Sequence, residues 1–180
     1  TRLHLFGVTR LDHVRRFSEF GVVSFDSTSP LRQAFKEEKD NYYGSDRNYV
    51  AIRVPQVDVN PQLKRRIVAG EVDQTEALRL ERECLEGLQL FDRRRMKREE
   101  LVALLGEYQR LFNAKRDYTD EYDVLLKDRP WEDCSCDVCR AVGINVVIFR
   151  GAERNRRRGF HNVYVTFERL KELRSAEAVA

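Results

Sequence analysis

Four side chains of this sequence have the types and the spacing of a metal site. Three cysteines lie within six positions and one histidine follows them along the chain, the four residues being Cys134, Cys136, Cys139 and His161. Three thiolates and one imidazole complete the tetrahedral shell of a structural zinc ion, with no position left for a substrate. The spacing alone is also compatible with a disulfide pair, an iron–sulfur ligand set or coincidence.

The zinc pattern continues into a longer motif. His161 is followed by Asn162 and Tyr164, and then by a leucine-rich stretch that includes Leu170 and Arg174. This order resembles the zinc subdomain of the tRNA-guanine transglycosylases. The resemblance implies that the three cysteines and His161 bind one structural Zn²⁺ per chain, which holds the fold together and does no chemistry.

A second segment resembles the same family. Residues 21–34 contain an apolar strand, a Phe-Asp pair and a Pro-x-Arg-x-Ala sequence, an order that is similar to the family's nucleophile segment. Residues 3–8 resemble the strand and glycine that precede it. The resemblance covers about positions 3–35 and 130–174, with a long unmatched segment between them. It implies that Asp26 is the catalytic nucleophile.

The length of the chain limits the fold. The chain has 180 residues, whereas the family's barrel of eight parallel strands needs roughly 250. Its only methionine is Met96, and an apolar strand begins almost at once. We therefore expect an α/β fold, the C-terminal part of a (β/α)8 TIM-type barrel with a helical insertion and a zinc-binding subdomain, within a longer polypeptide.

The composition indicates neither a membrane span nor a disulfide scaffold. No apolar run is long enough to cross a bilayer, and the net charge is only +3 although 35% of the residues are charged. Clustered cysteines fit a metal in a reducing compartment better than a disulfide scaffold. We expect a cytoplasmic protein in which the remaining cysteine, Cys84, is a small core residue.

Hydrophobic patterning predicts three regions. Residues 1–58 contain the last strand–helix units of the barrel with the nucleophile segment, residues 59–128 an inserted helical hairpin, and residues 129–180 the zinc-binding subdomain with the closing helix. Asp26 falls at the C-terminal end of a predicted parallel strand, where barrel enzymes keep their active sites.

The predicted elements are short except in the hairpin. Residues 55–61 are predicted to be an irregular connector, and His161 lies in the first turn of the closing helix, where local hydrogen bonds would fix its ring. An apolar run over 142–149 is either a strand or a buried segment. The other predictions are strands over 3–8, 22–25 and 49–54, and helices over 9–20, 30–39, 73–91, 101–112 and 160–173.

The implied chemistry is the exchange of one base for another with retained configuration. Two inversions are needed, and a carboxylate supplies the first by forming a covalent glycosyl–enzyme intermediate. By the resemblance, Asp26 attacks the anomeric carbon, guanine leaves, and a 7-deazaguanine base attacks in turn. The target nucleotide must leave its stack to be reached. The alternative is that Asp26 is a turn or cap residue before the helix at Pro30.

Arginines are the candidate nucleic-acid contacts. Arg32 would contact a phosphate or form a structural salt bridge. A loop just before His161 would present further arginines to a phosphate backbone, or would simply be soluble; these are Arg150, Arg154, Arg156, Arg157 and Arg158. The run over 93–98 fits a solvated face better than a nucleic-acid contact.

Three departures from the tRNA-acting pattern favour the DNA-acting branch of the superfamily. Residues 27–29 replace a more apolar run, Phe35 stands where a second arginine is expected, and the hairpin is inserted relative to the tRNA-acting relatives. The loss of a cation at position 35 weakens the case for the usual tRNA backbone contacts.

These observations predict a guanine transglycosylase, which is a pentosyltransferase, that places a 7-deazaguanine in DNA. One alternative is a tRNA-guanine transglycosylase of queuosine or archaeosine modification, and another is a non-catalytic, zinc-stabilised nucleic-acid-binding or partner subunit. The resemblance places the acid–base carboxylate and the guanine pocket upstream, so this fragment alone should be inactive. It also implies pairing near the zinc region, as a homodimer or with a partner subunit.

Overall fold

The strands of this chain are short and pair two at a time. A computed structural model describes residues 2–8, 13–36 and 39–177, and within these ranges the chain is mostly helical with three two-stranded sheets. The described residues do not close a barrel. Nor does any described helix have the length and apolar character needed to cross a membrane.

The N-terminal unit is a strand, a helix and a strand. Strand β1 (Leu3–Leu5) pairs in parallel with β2 (Val22–Phe25), and helix α1 (Val14–Glu19) lies between them in sequence. The parallel crossover is confirmed, while the predicted helix cap at residues 9–12 lies outside the described residues. Both strands are largely exposed, and they have no further sheet neighbour among the described residues.

The nucleophile segment continues into a small hairpin. Helix α2 (Ser29–Gln33) is followed by β3 (Tyr42–Tyr43) and β4 (Asn48–Tyr49), which pair antiparallel. The single strand predicted over 49–54 is wrong, since β5 (Ile52–Arg53) pairs separately with a later strand. The chain turns away from β4 because the backbone N–H of Ala51 donates to the side chain of Asn41 at 2.6 Å.

Residues 59–128, the predicted insertion, contain four helices rather than two; the segment is called the insertion below. The predicted hairpin is confirmed as α4 (Gln74–Asp92) and α5 (Arg98–Phe112). Helices α3 (Pro61–Val68) and α6 (Thr119–Asp128) were not predicted. Cys84 is fully buried on α4, as expected.

The C-terminal region is also helical. Its elements are α7 (Pro130–Asp133), α8 (Asp137–Val142), a 3₁₀-helix (Gly143–Val147), β6 (Ile148–Phe149) and α9 (Gly151–Glu177). The run over 142–149 is largely buried, but most of it is 3₁₀-helix. The closing helix begins nine residues earlier than predicted, because Gly151 takes a φ of +68° there and the arginine run after it favours helix.

One buried apolar cluster joins these parts. It extends from Tyr42 and Ile52 through Leu105 in the insertion to Trp131 and Ile148 in the C-terminal region. The insertion therefore packs into the same core as the strands beside the cysteines.

Candidate metal centre and nucleophile segment

The structure brings the four predicted ligands together. The three sulfur atoms and a ring nitrogen of His161 all lie within 4.8 Å of one another. His161 Nδ1 is 3.6 Å from Cys134 Sγ, 3.5 Å from Cys136 Sγ and 3.3 Å from Cys139 Sγ. A tetrahedral zinc ion with its usual bond lengths would separate sulfur and nitrogen by about 3.6 Å. The cluster could therefore bind a metal ion such as zinc.

Short elements position the three cysteines. Cys134 follows α7, and Cys136 is the N-cap of α8, where its Sγ accepts the N–H of Cys139 at 3.3 Å. Cys139 lies in the first turn of that helix. A helix N-terminus favours negative charge, so α8 supports two of the thiolates.

Two tyrosines of β3 fix the histidine. His161 Nε2 lies 2.6 Å from the carbonyl oxygen of Tyr43, so a proton on Nε2 leaves Nδ1 free to face the cysteines. The ring of Tyr42 stacks on the imidazole at 4.3 Å, and its hydroxyl lies 3.7 Å from Cys139 Sγ. Sequence reasoning did not find these tyrosines, since they are far from the motif along the chain.

Hydrogen bonds and charges within the cluster shift the pKa values of its side chains. Hydrogen bonds with Cys134 and Cys139 lower the pKa of Cys136, whereas hydrogen bonds with Cys134 and Cys136 raise the pKa of Cys139. Burial would lower the pKa of His161, but hydrogen bonds with Cys134 and Cys136 raise it to about 9. Burial, and then the charge of Cys139, raise the pKa of Tyr42. Such a set of mutually repelling thiolates is stabilised by a divalent cation.

His161 lies in the interior of α9, so its predicted place in a first helical turn is wrong. Its fixed orientation comes instead from Tyr42 and Tyr43, which lie on another element. The ring is 1% exposed. The ligand is therefore held by tertiary packing and not by a helix end.

Asp26 lies immediately after β2, at the C-terminal end of the parallel pair. Its backbone continues the ladder, donating to Leu5 and accepting from Val8. Its Oδ1 accepts the N–H of Gly7 at 2.6 Å, and its Oδ2 lies 4.0 Å from His4 Nε2. The side chain is 57% exposed. One carboxylate oxygen is therefore held by a backbone N–H, while the other lies near His4 in a side chain that is more than half exposed.

Helix α9 holds the segment that follows Asp26. Asn162 Nδ2 donates to the carbonyls of Pro30 and Asn41 at 3.2 Å each, and its Oδ1 accepts from Tyr43 N–H at 3.0 Å. Gly159 packs so closely on Leu31 that an added Cβ would lie 2.6 Å from its side chain. The helix that carries the histidine ligand thus also fixes α2.

Arg158 is a second clamp on the same segment. It is fully buried, and it donates to the carbonyls of Ala34, Asn41 and Ile148 and to the side chain of Asn155. Burial lowers its pKa to about 9. The expectation that Arg158 contacts nucleic acid is wrong, because its guanidinium is used inside the fold.

The other predicted arginines differ in surroundings. They lie on or next to a helix and not in a loop, which corrects that expectation. Arg150 pairs with Glu81 at 2.6 Å, Arg157 pairs with Glu153, and Arg156 is exposed. Arg154 is partly buried, and Arg32 is exposed on α2.

The Cys₃His cluster and the preceding Asp26 segment resemble those of the guanine transglycosylase superfamily. No family model matches the chain. Over 175 residues, however, the chain is 45% identical to a DNA-guanine transglycosylase from Salmonella montevideo, a match that covers 95% of this chain and 42% of that protein. This similarity confirms the resemblance to the superfamily and to its DNA-acting branch. The chain spans less than half the length of this relative.

Proposed function

We propose that this chain is the C-terminal part of an enzyme that exchanges guanine in DNA for a 7-deazaguanine base. The supporting observation is the similarity to DNA-guanine transglycosylase, which extends over nearly the whole chain and so includes both the Asp26 segment and the cysteine cluster. In this proposal β1, α1 and β2 are part of a TIM-type barrel, and Asp26 lies at the end of the barrel where active sites are found.

Asp26 is the proposed nucleophile. A carboxylate oxygen attacks C1′ of the target deoxyribose while the bond to N9 of guanine breaks, and guanine leaves with the electron pair. The 7-deazaguanine then attacks C1′ through its deprotonated ring nitrogen, and the bond to Asp26 breaks to restore the carboxylate. The N–H of Gly7 holds Oδ1, which leaves Oδ2 accessible to C1′.

The proposal also includes a structural zinc ion, and groups for acid catalysis and base recognition in other parts of the full-length protein. One Zn²⁺ held by the three cysteines and His161 supplies no reaction chemistry; it stabilises the fold that positions α2. The acid that protonates the leaving guanine and the pocket that reads the base belong to other parts of the full-length protein, so residues 1–180 alone should be inactive. An oligomer through the zinc region, with a second copy or a partner subunit, is part of the same proposal, as is a cytoplasmic location.

The test is base exchange by the full-length protein. Labelled 7-deazaguanine is incubated with protein and either duplex DNA or tRNA, and the Asp26→Asn variant is compared with Asp58→Asn, an exposed aspartate in another turn. We expect label in DNA, a loss of about 10³-fold or more in Asp26→Asn, and no change in Asp58→Asn. A covalent protein–DNA adduct should form in the wild type and in Asp58→Asn, but not in Asp26→Asn.

Other outcomes would overturn parts of this proposal. Label in tRNA alone would show that the tRNA-acting alternative is correct. Asp26-independent exchange would exclude Asp26 as the nucleophile. Binding without exchange by a well-folded, metal-loaded protein would favour the non-catalytic subunit.

A further inference from the structure

A small cavity lies where α8 and the 3₁₀-helix meet α9. Its volume is about 320 Å³, which is ample for a phosphate group with its ester oxygens. The residues that line it are Ala141, Val142, Asn145, Arg154 and Arg157. The cavity therefore combines a short apolar wall with two guanidinium groups and an amide.

Arg154 carries a charge that the fold does not neutralise. It is partly buried, and its Nη1 donates to Asn145 Oδ1 at 3.2 Å. Among the residues that the structure describes, no carboxylate forms an ion pair with it. Burial lowers its pKa and the neighbouring charges of Arg150 and Arg157 lower it further, while the charge of Glu153 acts in the opposite direction as the smallest of these effects. A guanidinium has five donors, so most of those on Arg154 remain for a ligand.

The position of Arg154 in its helix adds to this imbalance. It lies in the first turn of α9, where the helix dipole disfavours a cation and favours an anion. The helix dipole therefore does not account for an arginine here. An anion placed in the cavity would compensate both the charge of Arg154 and the positive end of the α9 dipole.

The wall of the cavity is fixed by the insertion. Asn145 Oδ1 also accepts from Gln89 Nε2 on α4 at 3.2 Å, while Asn145 Nδ2 donates to the carbonyl of Val142 at 3.0 Å. The amide is thereby oriented before any ligand arrives. The insertion and the cysteine region together hold Arg154 in place.

The arginines near the cavity differ in their partners and in whether they line it. Arg150 is neutralised by Glu81, and Arg158 is internal. Arg156 is exposed but does not line the cavity, whereas Arg157 lines it while also pairing with Glu153. Only Arg154 and Arg157 therefore face this site.

We propose that this cavity binds a backbone phosphate of duplex DNA, with Arg154 as the main contact and Arg157 as the second. The proposal rests on the proposed function, because it supplies the DNA that such a site would engage. The planar fork of an arginine matches two phosphate oxygens, and contact with the backbone carries no sequence preference. The site positions the duplex and does not read the target base.

The test measures DNA affinity of the full-length protein against salt concentration. Arg154→Gln removes the charge and keeps an amide donor near Asn145, while Arg156→Gln is the matched control on the same helix. We expect Arg154→Gln to weaken binding about 10-fold at low salt and to reduce the slope of log K against log salt by about 0.9. The loss should be equal for DNA duplexes of different sequence, and Arg156→Gln should bind as the wild type does.

An unchanged affinity and slope in Arg154→Gln would overturn the proposal, as would a loss confined to tRNA. If Arg154→Gln does not fold, Arg157→Gln decides, with a smaller loss of affinity and a reduced slope expected. Asp26→Asn separates this site from the proposed reaction, since it should abolish exchange, while Arg154→Gln added to Asp26→Asn should still weaken binding and reduce the salt slope. A wild type that binds DNA through Arg154 without exchanging bases would refute the function and retain the site.

Discussion

The cysteine region and the Asp26 segment contrast in how tightly they are held. His161 is 1% exposed, with a tyrosine stacked on its ring and a carbonyl on its outer nitrogen. The Asp26 side chain is 57% exposed, and one backbone N–H orients it. The side chain of a structural metal ligand needs a fixed orientation, whereas a carboxylate nucleophile must keep one oxygen available to its substrate. The contrast is the one that the proposed roles require, with His161 maintaining the structure and Asp26 presented to a substrate.

The largest effect is expected from removing the metal ligands. Cys136→Ala removes a thiolate and the N-cap of α8 together. Structural zinc contributes about 10 kcal/mol of folding free energy in small zinc-dependent domains, so we expect loss of bound metal and a large fall in the melting temperature. Chelators and acidification should act in the same direction, since protonated thiols do not bind the metal.

Cys84→Ala is the control for this experiment, because Cys84 is buried in the insertion and is not one of the four predicted ligands. Metal content is measured by elemental analysis and stability by calorimetry. Cys84→Ala should retain one zinc per chain. A wild type that is folded and metal-free after purification in the presence of zinc would contradict the structural role.

An intermediate effect is expected at the buried clamp. Arg158→Ala removes a donor from the buried carbonyls of Ala34, Asn41 and Ile148, of which Asn41 keeps its bond from Asn162. Unsatisfied buried groups are costly, so the free energy of unfolding should fall by about 3 kcal/mol or more. Chemical denaturation measures this loss, and Arg156→Ala on the exposed side of the same helix should show almost none.

The Arg158 experiment also sharpens the contrast between the two regions. Because α2 follows Asp26 directly, any folded Arg158→Ala protein should lose exchange activity as well as stability. Full activity in a destabilised variant would show that the clamp does not position the nucleophile segment.

The smallest effect on stability is expected from a change at Gly7. The same change should also lower the rate of the proposed reaction. Gly7 has a φ of +67° and no atom within 4 Å of an added Cβ, so Gly7→Ala should cost about 1 kcal/mol of backbone strain. A backbone shift that relieves this strain would displace the N–H that orients Asp26, so kcat should fall as well. Gly70→Ala is a matched control, with a φ of +72° and the same open surroundings. Equal losses of stability with equal kcat would show that Gly7 does not orient the carboxylate.

Sequence alone predicted what depends on local spacing. The cysteine motif lies within a few residues, and α4 and α5 carry regular apolar stripes, so both could be located. Helix α3 was missed because it follows a proline-bounded segment interpreted as a connector, and α6 was not identified at all.

The errors at the site have a common physical cause. The role of Arg158 depends on carbonyls of which two lie more than a hundred residues away, and a run of arginines gives no sign that one of them points inward. The tyrosines that orient His161 lie more than a hundred residues before it. Periodicity detects one face of one element and does not detect which elements meet.

The chain also contains its own optical reporter. Trp131 is its only tryptophan; it is 3% exposed, and its Nε1 donates to Asp92 Oδ1 at 2.9 Å. Arg129 lies over the indole ring at 5.3 Å. Because Asp92 ends α4 and Trp131 lies just before Cys134, the emission of one fluorophore reports on the junction between the insertion and the cysteine cluster. Separation of the two would be visible as a red shift in a protein that carries no label.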